Sequence, residues 1–117
     1  MKLIRTNIEN IENEKVLIYK LTKGTSTSFK DLEDEDLDQS WPVDGYLIYE
    51  EPNKTGNGST VLISILSNGR IIGGQSKPFI ESFEEIADIM GSEPFSIHVN
   101  KLQSHNKRTF YTATLDC

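Results

Sequence analysis

The chain has a single cysteine, Cys117, at its last position. A disulfide within the chain is therefore excluded, and a reducing cytoplasm is the default compartment. No apolar run approaches the roughly 20 residues of a membrane-spanning helix. Residues 1–12 also lack the apolar stretch of a secretory signal. We therefore expect a protein that is neither secreted nor transmembrane.

Residues that carry common catalytic chemistry are also scarce. The chain has two histidines, His98 and His105, and none of the motifs HExxH, CxxC, GxSxG or GxxxxGK[ST]. Zinc hydrolysis, acyl transfer and P-loop chemistry therefore lack support. Alternation along its predicted strand places His98 on a sheet surface, and His105 falls in a loop without a neighbouring ligand. We expect no catalysis, no metal site and no cofactor.

Negative charge is abundant, but it is concentrated in one place. The formal charge of the 117 residues is −6, and six of the 18 acidic residues lie within Asp31–Asp38. The remainder has 12 acids and 12 bases. This acidity argues against tight duplex binding but leaves room for a local basic groove. An acidic, solvated loop over residues 31–40 is the default interpretation, and a surface that imitates nucleic acid is the alternative.

Strand patterns dominate the chain after a flexible N-terminal arm over residues 1–14. Runs of β-branched and aromatic residues predict strands at 15–21, 46–51, 60–66, 70–76, 94–101 and 109–115. Residues 25–29 predict a turn or a short extended piece. The Asn68-Gly69 pair predicts a tight hairpin turn, and Gly73-Gly74 predicts a bulge or a close backbone approach. Residues 79–90 predict a helix, because apolar residues recur there at three- and four-residue steps.

The order of these elements from residue 45 is three strands, a helix and two strands. We therefore predict a mostly β fold in which residues 15–117 form one OB-fold-like domain. It would be a five-stranded antiparallel barrel with the helix between its third and fourth strands and an extra N-terminal strand. An α+β sandwich of one curled sheet on the helix fits the same periodicity.

The residues that remain suit a binding protein. Single-stranded nucleic acid is bound by sparse positive charge combined with exposed rings on which bases stack. Bases fall at predicted loop and strand ends, namely Lys54, Arg70, Lys77, Lys101, Lys107 and Arg108. The candidate rings are Tyr46, Tyr49, Phe110 and Tyr111, and for each of them core packing is an equally good explanation. Alternation sends Phe110 and Tyr111 to opposite faces of their strand, which predicts one ring in the core and one exposed.

A longer succession of motifs points to a family. It comprises VLIYKLTKGTSTSFKDL (16–32), TVLISIL, the turn SNG, the Ser76-Lys77 pair, FIESFEEIADIM, PFSIHVNKL, a basic Ser-His-Asn-Lys loop and TFYTATL. Over roughly residues 15–115, this order and spacing resemble the small single-stranded DNA-binding proteins of protein-primed podoviruses. The acidic stretch departs from the family pattern.

The resemblance implies an OB-type, non-catalytic protein that coats phage DNA during strand-displacement replication in the host cell cytoplasm. It implies groove roles for Tyr46, Tyr49, Tyr111, Lys54, Lys77, Lys101, Lys107 and Arg108. Single-stranded DNA is the expected partner, with the phage DNA polymerase and a second copy of the chain as further candidates. The alternative function is that of a small phage-encoded inhibitor that binds a host protein through residues 31–38.

Overall fold

The computed structural model describes residues 2–9, 16, 19–21 and 26–116, in which eight strands form two sheets beside one long helix. The strands are β1 (Lys2–Thr6), β2 (Thr27–Ser28), β3 (Trp41–Pro42), β4 (Gly45–Pro52), β5 (Ser59–Ser67), β6 (Arg70–Gly74), β7 (Ser96–Gln103) and β8 (Thr109–Asp116). A 3-10 turn spans Phe29–Asp31, and the helices are α1 (Asp34–Asp38) and α2 (Lys77–Met90). The prediction of a mostly β fold is confirmed.

The larger sheet has the strand order β1-β4-β5-β6-β2, and the smaller sheet has the order β3-β7-β8. Strands β4, β5 and β6 form an antiparallel meander. Its second turn holds Asn68 at φ 50° and Gly69 at φ 83°. An Asn-Gly pair adopts positive φ at low cost, which confirms the predicted hairpin turn. Strands β7 and β8 form the second hairpin, paired from Ser96↔Asp116 to Gln103↔Thr109.

The main core lies between the two sheets and α2. The apolar face of α2 is formed by Phe79, Ile80, Phe83, Ile86 and Ala87, at the three- and four-residue steps of the sequence pattern. The helix begins after Ser76, whose Oγ accepts a hydrogen bond from the N–H of Phe79, and it ends at Gly91. No helix in the described part of the chain combines the length and apolar character of a membrane span.

The Gly73-Gly74 pair marks a close approach of two backbones. A Cβ on Gly73 would collide with the carbonyl oxygen of Ile63, and a Cβ on Gly74 would lie 3.0 Å from the ring of Phe29. Strands β5 and β6 pair through this region without a register shift. Of the two alternatives predicted for the glycine pair, the close approach is therefore confirmed.

The N-terminal segment differs from its prediction. Residues 2–6 were assigned to a flexible arm, but they form β1 and pair with β4. In the predicted strand 15–21, residues 16 and 19–21 are helical. Leu21 is buried against Leu47 and Tyr49 on the outer face of the larger sheet. Both faces of the meander are apolar, so another part of the chain has to cover the outer face. The local strand pattern does not show which part does so. Residues 1, 10–15, 17 and 18 of these two predictions lie outside the described residues.

The acidic segment is also more than a loop. Glu33 and Asp36 cap the first turn of α1 reciprocally. The indole N–H of Trp41 donates to the carbonyl oxygen of Asp36 at 2.9 Å. Leu32 is buried, and Leu37 packs against the main core. These two leucines anchor the run, which corrects the prediction of a solvated loop over residues 31–40.

The structure does not confirm a closed barrel. Closure would require the outer edges of the meander to pair with the edges of the β7–β8 hairpin. In the described residues those edges are already occupied, by β1 on β4, by β2 on β6 and by β3 on β7. The outer edge of β8 meets α2, because Ser82 Oγ accepts from the N–H of Ala113 and Ser76 Oγ donates to the carbonyl of Tyr111.

Candidate nucleic-acid interface

A cleft of about 690 Å³ opens where the start of β8 faces the end of β4 and the start of β5. We call it the aromatic cleft. The 3-10 turn and the end of β6 complete its walls. The lining residues that matter for binding are Phe29, Lys30, Glu51, Lys54, Phe110 and Tyr111. The volume falls within the range of ordinary ligand sites.

Tyr111 is the outermost ring of an aromatic row that runs into the core. Its centroid lies 5.8 Å from that of Phe29, which lies 4.3 Å from that of Phe79. Phe29 and Phe79 are buried, whereas Tyr111 is half-buried and lines the cleft. Ser76 Oγ donates to the carbonyl oxygen of Tyr111 at 3.3 Å. The core and the helix therefore hold this ring in place while one side of it faces the cleft.

Phe110 is also half-buried and also lines the aromatic cleft. The prediction that one of these neighbouring rings is in the core and the other exposed is confirmed only in part, because Tyr111 packs against the main core but both rings are half-buried. The cross-strand partner of Phe110 is Leu102 and that of Tyr111 is Lys101, and both partners are exposed. Neither face of the hairpin is fully covered at this end, so both rings are left partly accessible.

Three lysines lie close to Tyr111. Lys54 and Lys101 are predicted from the sequence, and Lys30 is not. Lys30 and Lys54 line the aromatic cleft, on the 3-10 turn and on the β4–β5 loop. Lys101 is paired across the hairpin with Tyr111, so the two side chains emerge next to each other on the same face. All three lysines are exposed. Exposed positive charge therefore lies in the cleft that Tyr111 lines and on the strand paired with it.

Two further bases sit in the β7–β8 loop, which its own hydrogen bonds hold in shape. The N–H of Ser104 donates to the carbonyl of Arg108 at 2.9 Å, and the N–H of Lys107 donates to that of Ser104 at 2.9 Å. Lys107 adopts a φ of 61°. Both bases are exposed and directly precede Thr109, which lines the cleft. Residues 94–115 contain no acidic residue.

The acids that dominate the net charge lie elsewhere. Glu51 is the one carboxylate among the residues that line the aromatic cleft. None of residues 31–38, all of which the structure describes, contributes to its lining. Among the described residues that line the cleft, the two bases Lys30 and Lys54 therefore outnumber the single acid.

Tyr46 and Tyr49 do not belong to this interface. They are 4% and 5% exposed, on opposite faces of β4. Tyr46 meets the edge of Phe83 with a centroid distance of 4.8 Å, and its hydroxyl accepts from Arg5 Nε at 3.2 Å. Tyr49 packs in the small cluster with Leu21. Because each ring fills a core, their prediction as base-stacking residues is wrong.

Arg70 is likewise misassigned. It lies at the β5–β6 turn, at the other end of β5 from Lys54. Its Nη1 is 3.0 Å from Asp36 Oδ1, and its guanidinium lies 4.9 Å from the ring centroid of Trp41. The hydrogen bond from Arg70, helped by the backbone N–H of Glu33, lowers the pKa of Asp36. Arg70 therefore fastens α1 to the fold and does not line the aromatic cleft.

Lys77 lies beside the aromatic cleft rather than in it. It opens α2 with a side chain that is 88% exposed, and its Nζ is 4.0 Å from Glu81 Oε1. It lines a neighbouring cavity of about 480 Å³, which we call the second compartment.

Neither histidine is among the residues that line the aromatic cleft. His98 is half-buried on the smaller sheet, as predicted, and its Nδ1 is 3.6 Å from Asp116 Oδ1. Within the described residues, no three His, Cys, Asp or Glu side chains come together as a metal-binding group.

Sequence reasoning missed Lys30 and Ser76 as parts of this site. The sequence prediction considered bases only from Lys54 onward and therefore did not include Lys30. The available signal was an aromatic residue, Phe29, followed directly by a base. Ser76 appears in the sequence pattern as part of the Ser76-Lys77 pair, and its bond to Tyr111 depends on tertiary structure. No family model, curated protein or solved structure matches this chain.

Proposed function

We propose that this protein binds single-stranded DNA without sequence preference, as a non-catalytic component of phage DNA replication. One observation carries the proposal: the supported ring of Tyr111 and the exposed Lys30 and Lys54 face the same cleft. Rings for base stacking beside sparse positive charge are what sequence-independent single-strand binding requires.

Tyr111 supplies the stacking surface. A base placed on its cleft side extends the row that continues through Phe29 to Phe79. Stacking of this kind contributes about 1–3 kcal/mol per base and tolerates every sequence, because each base has a π-face. The bond from Ser76 holds the strand at Tyr111, so little freedom is lost when a base binds.

The bases around the cleft supply the phosphate contacts. Lys54 stands on one wall, and the Lys107-Arg108 pair stands beside the other. A strand that stacks on Tyr111 would pass between them. With five such bases in a chain of formal charge −6, binding is modest in strength and depends on salt.

We also propose that the fold is of the OB type. The succession of a meander, a helix and a hairpin supports it, since this is the order of an OB barrel. Such a barrel closes by pairing its edges. In this protein those edges are covered by the additional strands β1, β2 and β3 and by the side chains of α2. An open form of this kind keeps the ends of the strands accessible around the aromatic cleft.

Fluorescence anisotropy of labelled oligo-dT at low salt tests the function. The wild-type chain is expected to bind, and Tyr111→Leu, which keeps an apolar side chain against Phe29, is expected to bind about tenfold more weakly, a loss of about 1.4 kcal/mol. The matched control is Tyr46→Phe, which alters a buried tyrosine and is expected to bind normally. Failure of the wild type to bind, or equal binding by Tyr111→Leu, would overturn the proposal.

A second candidate function rests on α1. Asp31, Glu33, Asp34, Glu35 and Asp38 are exposed on a segment that Trp41, Arg70 and Leu37 anchor. A fixed acidic face of this kind suits an inhibitor that imitates the phosphates of DNA and binds a basic host protein.

A variant in which these five acids become amides separates the two functions. Asp36 is kept because it holds α1, and the formal charge rises from −6 to −1. DNA binding by the aromatic cleft is expected to persist or strengthen. An inhibitor would instead lose capture of a host DNA-binding protein in a pull-down, and its wild type would show no affinity for oligo-dT.

A further inference from the structure

The second compartment lies next to the aromatic cleft at the end of the larger sheet. Thr60 and Gln75 line both spaces, so the two are neighbours. The second compartment has Val61 and Ile80 on its apolar walls, and Lys77 on its rim. It lies on the far side of these two shared residues from Tyr111.

Strand β6 ends before β5 does, next to the residues that the two spaces share. The two strands pair from Ser67↔Arg70 to Ile63↔Gly74, and the chain then turns away to begin α2. Strand β5 continues to Ser59. This register leaves the first residues of β5 without a partner from β6.

The register also sets where the free backbone groups point. In an antiparallel pair closed by a two-residue turn, alternate residues starting from the closing pair direct their N–H and C=O towards the partner strand. Counted from Ser67, this set includes Ile63 and Val61. Ile63 pairs with Gly74, whereas Val61 directs its backbone groups into the gap left by β6.

The side chains of the second compartment have the properties of a nucleotide subsite. Val61 is 37% exposed although it is a large apolar residue on a strand. Lys77 and Glu81 line the same space, with Lys77 Nζ 4.0 Å from Glu81 Oε1 and the Lys77 side chain 88% exposed. An exposed apolar surface, a backbone edge that β6 does not pair and an exposed cation with one carboxylate beside it are therefore combined next to the aromatic cleft.

We propose that the two compartments are consecutive subsites for one DNA strand. A base stacks on Tyr111, the strand crosses Thr60 and Gln75, and a following nucleotide lies on Val61 with a phosphate near Lys77. This inference rests on the proposed function and adds the path of the strand. It requires that affinity continue to grow with oligonucleotide length after the aromatic cleft is filled.

A length series of oligo-dT from about 4 to about 16 nucleotides, the range of site sizes of OB-type binders, tests this path. Val61→Glu places a carboxylate in the second compartment. It is expected to weaken the binding of the long oligonucleotides about tenfold and to leave the short ones unchanged. The matched control is Ile89→Glu, which makes the same charge change at a residue that is 77% exposed on α2 and lines neither space.

Lys77→Gln provides a second variant that leaves β5 untouched. It is expected to reduce the slope of log K against log salt by about 0.7 for the long oligonucleotides only. The path is overturned if Val61→Glu behaves like Ile89→Glu at every length, or if Lys77→Gln changes no slope. The proposed function fails in a different way, because the wild type would then bind oligo-dT of no length.

Discussion

The Oγ of Ser82 on α2 accepts a hydrogen bond of 2.8 Å from the backbone N–H of Ala113 on β8. Ser76 makes the equivalent contact two residues earlier on the strand, by donating to the carbonyl of Tyr111 at 3.3 Å. Ser82 within α2 and the N-cap residue Ser76 thus satisfy groups that a neighbouring strand would otherwise bind. They end the smaller sheet at β8 and hold the main chain of Tyr111 beside the aromatic cleft.

Ser82→Ala removes this cap and is expected to destabilise the fold. Ala113 is buried, and a buried donor without a partner costs about 1–3 kcal/mol. The higher helix propensity of alanine offsets about 0.5 kcal/mol of that cost. Urea unfolding measures the free-energy difference. Ser92→Ala, at an exposed position after α2, is the control and is expected to stay within about 0.5 kcal/mol of wild type. Equal stability of the two variants would contradict the role of Ser82.

Gly73→Ala tests the close approach of β5 and β6. The added Cβ would collide with the carbonyl of Ile63, and relief of such overpacking costs about 1–3 kcal/mol. The control is Gly45→Ala, whose Cβ would meet the side chain of Ile8 at an ordinary 3.5 Å. Thermal unfolding is expected to show a clear loss for Gly73→Ala and little change for Gly45→Ala. The interpretation fails if the first variant is as stable as the second.

The ion pair between Asp36 and Arg70 predicts a loss of stability in acid. The hydrogen bond from Arg70 lowers the pKa of Asp36 in the folded chain, whereas the unfolded chain has the ordinary value of about 3.9. The contribution of this carboxylate is therefore complete above about pH 4 and disappears as the pH falls towards the lower folded value.

Thermal unfolding of wild type and Asp36→Asn between neutral pH and about pH 3 measures this contribution. The difference between the two curves is expected to shrink on the acid side. Asp38→Asn, which removes an exposed carboxylate two positions along the chain, is expected to follow the wild type. A constant difference between wild type and Asp36→Asn over the whole range would rule out the assigned pKa shift.

Lys107→Asn tests the phosphate contacts without disturbing the loop. Asparagine tolerates the left-handed conformation that Lys107 adopts at φ 61°, so the variant removes the charge and keeps the geometry. The five bases around the aromatic cleft, together with Lys77, would limit the slope of log K against log salt to about −4.2. The variant is expected to reduce the slope by about 0.7, measured by anisotropy across a salt series.

Lys20→Asn is the matched control for this experiment. Lys20 is exposed and lines neither compartment, so its loss is expected to leave the slope unchanged. A shallower slope for both variants would indicate a general effect of net charge instead of a local contact at Lys107.

Local chemistry explains which elements were predicted well. Asn68-Gly69 defines a turn from two residues, and α2 follows from an apolar spacing within 14 residues. Strands β4, β5, β7 and β8 follow from β-branched and aromatic runs. The acidic segment was misjudged because Leu32 and Leu37 become informative only when the core they reach is known.

The candidate site could be predicted only in part, and the tyrosines show why. Alternation correctly separates neighbouring residues onto opposite faces of a strand. It does not show whether a given face is covered. Tyr46 and Tyr49 are buried because α2 covers one face of β4 and the segment at Leu21 covers the other. Tyr111 stays half-buried because Phe29 and the main core pack against it while it also lines the aromatic cleft.

The amino-acid order by itself determined the hairpins, the long helix and the acid-free basic stretch of residues 94–115, because each depends on residues close together in the chain. Only the tertiary structure decided that α2 covers the edge of β8 and that Arg70 forms an ion pair with Asp36. It also decided that Lys30, Lys54 and Tyr111 line the same cleft. These outcomes depend on which surfaces bury one another, and burial is a property of the assembled chain.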